Sequence, residues 1–262
     1  MPEAYFTTRD GHWFIGTDYA RGPWDADSCH AGPPTALIVR ALEHLAPHQR
    51  LHRITVELMR PIPIRGFQVQ AEVRRPGRSV TLSEAEIFDE DRVYVRAFGL
   101  HTRTITDFST ATAPSQPPDF AAAVAGDFPI RDAHHDQTGF SSSVEVRYNV
   151  DEGGAGTGGP TTVWLRPKIP ILADEAPSPF QRICPLADSG NGISYNEYLD
   201  RVAFVNPDLT VALHRDPVGE WHAARARSHW QPDGTGLADA ELFDVEGSVG
   251  RALQTVLLEP RA

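Results

Sequence analysis

A spacing of 155 residues recurs along the 262-residue chain, and this internal repeat limits the possible folds more than any other feature. Thr55-Val56 falls on Thr210-Val211, Leu58 on Leu213, Arg60 on Arg215, Ala71 on Ala226 and Leu82 on Leu237. The strongest block sets Ala85-Glu86-Ile87-Phe88-Asp89 against Ala240-Glu241-Leu242-Phe243-Asp244, followed by Arg96-Ala97 against Arg251-Ala252. Between positions 51 and 97 there are 12 identities in 47 ungapped pairs, where ordinary composition gives roughly one in sixteen to twenty. Cys29 also falls on Cys184. Two similar sets of strands do not by themselves produce one constant offset, so the chain reads as a tandem duplication.

In the first copy, Leu37, Ile38, Ala41, Leu42 and Leu45 recur at helical spacing, which predicts a helix over Pro34–Ala46 with one buried face. Pro33 and Pro34 suit its start and Pro47 its end. Strands follow over Arg53–Pro61, Phe67–Arg74, Val80–Phe88 and Val93–Thr102, rich in β-branched residues and separated by turn residues. The second copy repeats the pattern, with a helix expected from about Ser189 to Val202. Its strands are expected near Leu209–Arg215, Trp221–Trp230, Gly236–Asp244 and Ser248–Glu259. It adds an earlier hairpin, Ser142–Val150 with Thr161–Lys168 around a Gly-rich turn, for which Ala4–Ile15 is the first-copy counterpart.

A helix followed by an antiparallel sheet that wraps it is the hotdog arrangement, and a duplicated unit supplies the partner that one such sheet needs at its edge. The expectation is therefore an α+β double hotdog. Its N-terminal unit is residues 1–106, its linker 107–133, rich in Pro, Ser, Thr and Ala, and its C-terminal unit 134–262.

Composition excludes several function classes. A net charge of −11 argues against a nucleic-acid partner, which needs Lys and Arg to neutralise phosphates. No apolar run is long enough for a membrane span, and the polar start MPEAYFTTRDGHW does not read as a secretory signal, so a cytoplasmic protein is expected. Two cysteines without CxxC spacing fit a reducing compartment and no zinc site. His134-His135-Asp136 reads as a solvated loop, and no metal or cofactor is expected. Between Arg50 and Arg78 seven arginines face only Glu57 and Glu72. That stretch is either a solvated strand face or a site for an anion.

The segment from Arg21 to Leu42 resembles the thioesterase-like superfamily related to acyl-CoA thioesterase II. Members often read W-x-x-x-x-x-H-G-G-P where this chain has Trp24, His30, Ala31, Gly32 and Pro33, so that Ala31 replaces one glycine. Leu186–Gly190 and Asn206–Arg215 are similar to the family as well. The resemblance implies hydrolysis of acyl-CoA thioesters, with acyl-CoA as partner and a possible homo-oligomer. It also implies a site of three residues: an Asp at the start of the second helix, a polar residue on the next strand and a Gln on the last. By position these are Asp188, Asn206 and Gln254, Asn206 standing where the family usually has Thr. The nearest hydroxyl, Thr210, is a further catalytic candidate. Gly32 of the motif, with Ser189, Gly190 and Asn191, whose backbone N–H groups would open the second helix, are the expected substrate-binding residues.

The repeat offers a separate test. At the 155-residue offset Asp188 faces Pro33, Asn206 faces Leu51 and Gln254 faces Gly99, polar in the second copy and featureless in the first. Framework residues such as Glu86 and Glu241 agree instead. Thioester hydrolysis needs a positioned water, a base and donors for the oxyanion. Asp188 suits the base, and the amides of Asn206 and Gln254 suit holding the water. Two other readings are a non-catalytic acyl-CoA-binding protein and an enoyl-CoA hydratase. The latter would use an Asp and a His near an Asn-Pro motif, and no His lies two places beyond Pro207. No G-x-S-x-G elbow is present.

Overall fold

The computed structural model describes residues 3–106, 108, 110–130, 138–153 and 159–261. The expected loop at His134–Asp136 and the centre of the Gly-rich turn lie outside them. The first copy contributes strands β1 (Phe6–Thr8) and β2 (Trp13–Gly16), helix α1 (Gly32–Leu45), and strands β3 (Arg50–Leu58), β4 (Phe67–Arg75), β5 (Val80–Phe88) and β6 (Val93–Thr102). A short strand β7 (Val124–Gly126) precedes β8 (Val144–Tyr148) and β9 (Thr161–Pro167). Two short helices follow, α2 (Pro179–Ala187) and α3 (Gly190–Ser194), and then β10 (Val202–Val205), β11 (Asp208–Leu213), β12 (His222–Trp230), β13 (Thr235–Asp244) and β14 (Gly247–Pro260).

One antiparallel sheet runs β1-β2-β4-β5-β6-β3-β11-β14-β13-β12-β9-β8-β7, with β10 added on β14. The halves join where β3 pairs with β11, and there Thr55 lies opposite Thr210, its own repeat partner. An antiparallel pair has a local two-fold axis between its strands, and this register puts that axis between equivalent residues. The two copies are thus related by a two-fold axis through the sheet centre, as in a hotdog dimer fused into one chain. Alternation along β11 turns Leu209, Val211 and Leu213 into the core. On the helix side, α1 buries Leu37, Ile38 and Leu42 against the sheet and packs along α2, each leucine-sized side chain contributing roughly 1.5–3 kcal/mol.

From β3 onward the offset of 155 holds: Thr55 and Thr210 keep it, and β12 begins and ends 155 residues after β4. Upstream it slips. Trp13 pairs with Gln68 and Trp164 with Ala223, so the matching tryptophans are 151 apart while their partners stay 155 apart. The helix expected over Ser189–Val202 is displaced further, since α2 begins 147 residues after α1. The second copy's helix starts at Pro179, where Ser178 caps it by accepting from Gln181 N at 3.1 Å. Pro185 inside it lacks the N–H that would continue the ladder, and Ser189 Oγ bonds back to Pro185 O at 2.8 Å. The helix ends at Ala187 and restarts for five residues as α3, after which 195–201 form turns rather than helix and β10 begins at Val202.

The linker also does more than connect. β7 pairs with β8 at the sheet edge, and Phe128 and Ile130 are buried in the main core. Isolated apolar residues without periodicity gave no sign of this. The paired acids of the repeat are structural: Glu86 bonds Arg96 at 2.8 Å and Glu241 lies 3.6 Å from Arg251.

Candidate functional site

The break between α2 and α3 exposes Asp188 to a cavity of about 440 Å³ at the seam between the copies. Trp24 and His30 come to it from the first copy, Phe128 and Ile130 from the linker, and Phe204 and Gln254 from the second copy. Trp24 and Phe204 meet edge to face at 5.1 Å, making an aromatic wall. A larger depression of about 700 Å³ beside β1 is lined by Arg40, Asp174 and Glu175 and lies apart from this cluster.

Asp188 is the C-cap of α2, not the first residue of a helix. Its Oδ1 accepts from Asn206 Nδ2 at 3.1 Å and from Gln254 Nε2 at 3.3 Å, and Gln254 Nε2 also donates to its backbone oxygen at 2.8 Å. Gln254 Oε1 in turn accepts from Asn191 N at 3.0 Å. Asp188, Asn206 and Gln254 are thus brought together. Burial pushes the Asp188 carboxyl up from 3.8 to about 7, against the opposing pull of Asn206, the Gly32 N–H and Gln254, which favour the charged form.

The other oxygen, Oδ2, lies 3.1 Å from His30 Nδ1. His30 was read from the sequence only as part of a motif, and the structure makes it a neighbour of the carboxylate. It stacks on Phe140 at 3.8 Å, and burial pushes its imidazole down to about 3. Both partners are therefore driven toward their neutral forms, and the contact is that of a neutral imidazole with a carboxylic acid rather than an ion pair. Gly32 N lies 3.1 Å from His30 Nδ1 and is shared with the Asp188 carboxyl, so one backbone N–H serves both groups. An aspartate–histidine pair is consequently present, assembled across the copies, although no histidine follows Asn206-Pro207.

Gly32 opens α1, where a Cβ would lie 2.8 Å from Pro185 Cα, so a glycine is needed for α1 and α2 to approach. Ala31 precedes it with φ −71°, a conformation that needs no glycine, which accounts for the departure from the motif. The expected backbone donors are largely spent within the protein: Ser189 N bonds Leu186 O at 3.0 Å and Asn191 N bonds Gln254. Gly190 has a different role. A Cβ there would lie 2.9 Å from Gln254 Oε1, so its bare backbone makes room for the glutamine. Thr210 stands apart, on the face of β11 away from the core, with its hydroxyl 3.4 Å from that of Thr55.

Among the described residues, the first copy has no carboxyl held by two amides at the matching place. A Cβ at Gly99 would meet Ser83 Oγ at 2.4 Å and Leu42 Cδ1 and Leu51 Cδ1 at 3.2 Å each, so Ser83, hydrogen-bonded to His101 at 2.7 Å, and the two leucines fill the space matching that of Gln254 and Asn206. Pro33, by contrast, is in the first turn of α1 and occupies no place equivalent to Asp188.

A fused pair of hotdog units with one polar cluster at their seam defines the class. The family model for the acyl-CoA thioesterase N-terminal domain matches residues 20–102, and that for the C-terminal domain matches residues 113–258. The chain belongs to the acyl-CoA thioesterase family. Among solved structures it is similar to an acyl-CoA thioesterase II from Mycobacterium marinum, at 17% identity over 98% of this chain and 95% of that one, with a TM-score of 0.67. It is likewise similar to the TesB protein of Mycobacterium avium subspecies paratuberculosis (15%, 97% and 96%, 0.69). A hot dog fold protein from Alicyclobacillus acidocaldarius is similar at 17% identity over 97% and 96% of the chains, with a TM-score of 0.72. No curated protein sequence matches the chain. Among the described residues no helix is long and apolar enough to cross a membrane, and no group of three or more His, Cys, Asp or Glu is placed to hold a metal.

Proposed function

We propose that the protein hydrolyses acyl-CoA to the free acid and coenzyme A at the seam cavity, with Asp188 as the general base. The observation that carries this reading is a buried carboxyl raised to about 7, held by two side-chain amides and facing an apolar cavity. A base with a pKa near the working pH combines availability with proton affinity. The amides hold Oδ1, and Oδ2, beside His30 Nδ1 at 3.1 Å, orients a water at the thioester carbon together with the half-buried Asn206 amide. That water adds to the carbonyl as Asp188 takes its proton, and collapse of the tetrahedral intermediate expels the coenzyme A thiolate. The His30 Nε2–H is the donor that supports the oxyanion, in the manner of a neutral imidazole acting as electrophile. The acyl chain lies against Trp24, Phe204, Phe128 and Ile130. Gly190 and Asn191 serve by placing Gln254, and Thr210 has no part in this scheme. Free thiols at Cys29 and Cys184 suit a reducing cytoplasm.

The test is thiol release from short, medium and long acyl-CoAs by the wild type and Asp188→Ala, with an enoyl-CoA included and its conjugated absorbance followed. Release that falls at least a hundredfold in the variant supports the reading. Release unchanged in the variant overturns it. Loss of enoyl absorbance without thiol release points to hydration, and binding of acyl-CoA without turnover points to a carrier.

A further inference from the structure

Arg60 and Arg215 are repeat partners that begin from the same backbone arrangement and end with different charge partners. The preceding residue is tied identically in both copies, Met59 N to Tyr94 O at 2.9 Å and His214 N to Val249 O at 2.9 Å. Each guanidinium then reaches an equivalent carbonyl, Arg60 Nη1 to Val93 O at 2.9 Å and Arg215 Nε to Ser248 O at 3.1 Å. In the second copy Arg215 goes on to clasp Asp244, with Nη2 to Oδ1 at 2.6 Å and Nη1 to the other oxygen.

The first copy has the matching acid, Asp89, but it is engaged elsewhere. Its Oδ2 accepts from Tyr94 OH and from Arg65 Nη2, while its Oδ1 accepts from the N–H groups of Asp91 and Arg92. Tyr94 is the decisive change, because Val249 stands at that position in the second copy and makes no such claim on Asp244. Among the described residues Arg60 has no carboxylate partner. It is exposed and lines the mouth of the seam cavity, the only one of the seven arginines between Arg50 and Arg78 to do so. Arg50 is paired with Asp216, Arg65 with Asp89 and Arg74 with Glu72 and Glu84. The other charged residue of the rim, Asp25, caps its own loop by accepting from Asp27 N and Ser28 Oγ.

We infer that Arg60 binds a phosphate of the coenzyme A moiety at the cavity mouth. The guanidinium offers donors in a fork that matches a phosphate's oxygens, and in an acidic chain it is the free cation at the place where the thioester's tail must leave. The inference rests on the reading of the cavity as the acyl-CoA site, but it concerns binding and is tested without turnover.

The experiment is calorimetric titration of the wild type, Arg60→Met and Arg60→Lys with coenzyme A, phosphopantetheine and pantetheine. Arg60→Met is expected to weaken coenzyme A binding about tenfold, with Arg60→Lys in between, while pantetheine, which carries no phosphate, binds all three proteins alike. A loss shared by phosphopantetheine assigns the phosphate next to the pantetheine arm, and a loss confined to coenzyme A assigns the nucleotide end. Either supports the inference. Equal binding of coenzyme A by the wild type and Arg60→Met overturns it, as does an equal loss for pantetheine or a wild type that binds no coenzyme A. If Arg60-dependent binding is found and no acyl-CoA is hydrolysed, the hydrolytic reading falls and the phosphate site stands.

Discussion

His30 Nδ1 lies 3.1 Å from Asp188 Oδ2, an imidazole from one copy against a carboxyl from the other, both buried. Neither group has a strong charge to lean on, because the donors around Asp188 are neutral amides and a backbone N–H. Two pH-dependent consequences follow from the same cause, burial of a carboxyl without a cation.

The first concerns rate. If Asp188 must be ionised to accept a proton, kcat/KM is expected to rise about tenfold per pH unit below 7 and to level off above it, following the carboxyl held near 7. Asn206 Nδ2 favours the ionised form, so Asn206→Ala should move this limb to higher pH as well as lower the plateau. A pH–rate profile for each protein makes the check, and a flat wild-type profile between pH 5 and 8 would rule the base out.

The second concerns stability. A carboxyl raised from 3.8 to about 7 is protonated in the folded chain where the unfolded chain has already ionised. Folding therefore carries no penalty from it below about pH 4, and a growing penalty as pH rises toward 7. Above that the penalty levels off at on the order of 4 kcal/mol. Asp188→Asn imitates the protonated acid: its oxygen can accept from Asn206 and Gln254, and its amide can donate to His30. The variant is expected to lose hydrolysis at least a hundredfold yet melt several degrees above the wild type at pH 8, with the gap closing toward pH 4. Melting curves at the two pH values decide it, since a gap independent of pH would mean Asp188 is not the titrating group.

Two glycines separate function from stability. Gly190→Ala places a Cβ 2.9 Å from Gln254 Oε1 and should displace the glutamine, lowering kcat/KM tenfold or more with little change in Tm, since the end of that side chain can move. Gly99→Ala meets Ser83 Oγ at 2.4 Å and both leucines at 3.2 Å, inside a packed core. It should cost ~1–3 kcal/mol of stability and leave hydrolysis by the folded protein as it was. Urea unfolding alongside steady-state rates would show whether the two effects separate.

What could be read from the sequence follows the length of chain over which each relation acts. The strands from β3 onward, and the two-fold axis between Thr55 and Thr210, follow from one offset because strand pairing keeps register. Leu51 and Gly99 faced Asn206 and Gln254 correctly for the same reason. Pro33 did not face Asp188, because the offset falls to 151 between Trp13 and Trp164 and to 147 between the starts of α1 and α2, and α2 ends at Ala187 just before Asp188, which neither periodicity nor the repeat displays. His30 was visible as a motif residue but not as a neighbour of Asp188, since its partner lies in the other copy and only packing of α1 on α2 joins them. Asn191 was read for a free backbone N–H, and that N–H proves to be the support of Gln254. The role of Phe128 and Ile130 in the cavity wall depends on where the linker passes, which its composition does not encode.

Finally, the repeat pair Arg60 and Arg215 should differ sharply when each is changed to methionine. Asp244 has a side chain with 0% exposure, and without Arg215 it keeps only the N–H groups of Val218 and Glu246, each at 2.8 Å. Removing one partner of a buried pair typically costs ~3–5 kcal/mol because the other charge stays behind. Arg215→Met is therefore expected to unfold at markedly lower urea. The loss should ease as Asp244 is protonated, because the carboxyl, held below 3.8 mainly by Arg215 against its desolvation, would rise in the variant. Arg60 is exposed and shares no carboxylate, so Arg60→Met should change stability by no more than ~0.5 kcal/mol. If both substitutions cost the same, the division of labour between the two arginines is wrong, and Arg60 belongs to the framework of the fold.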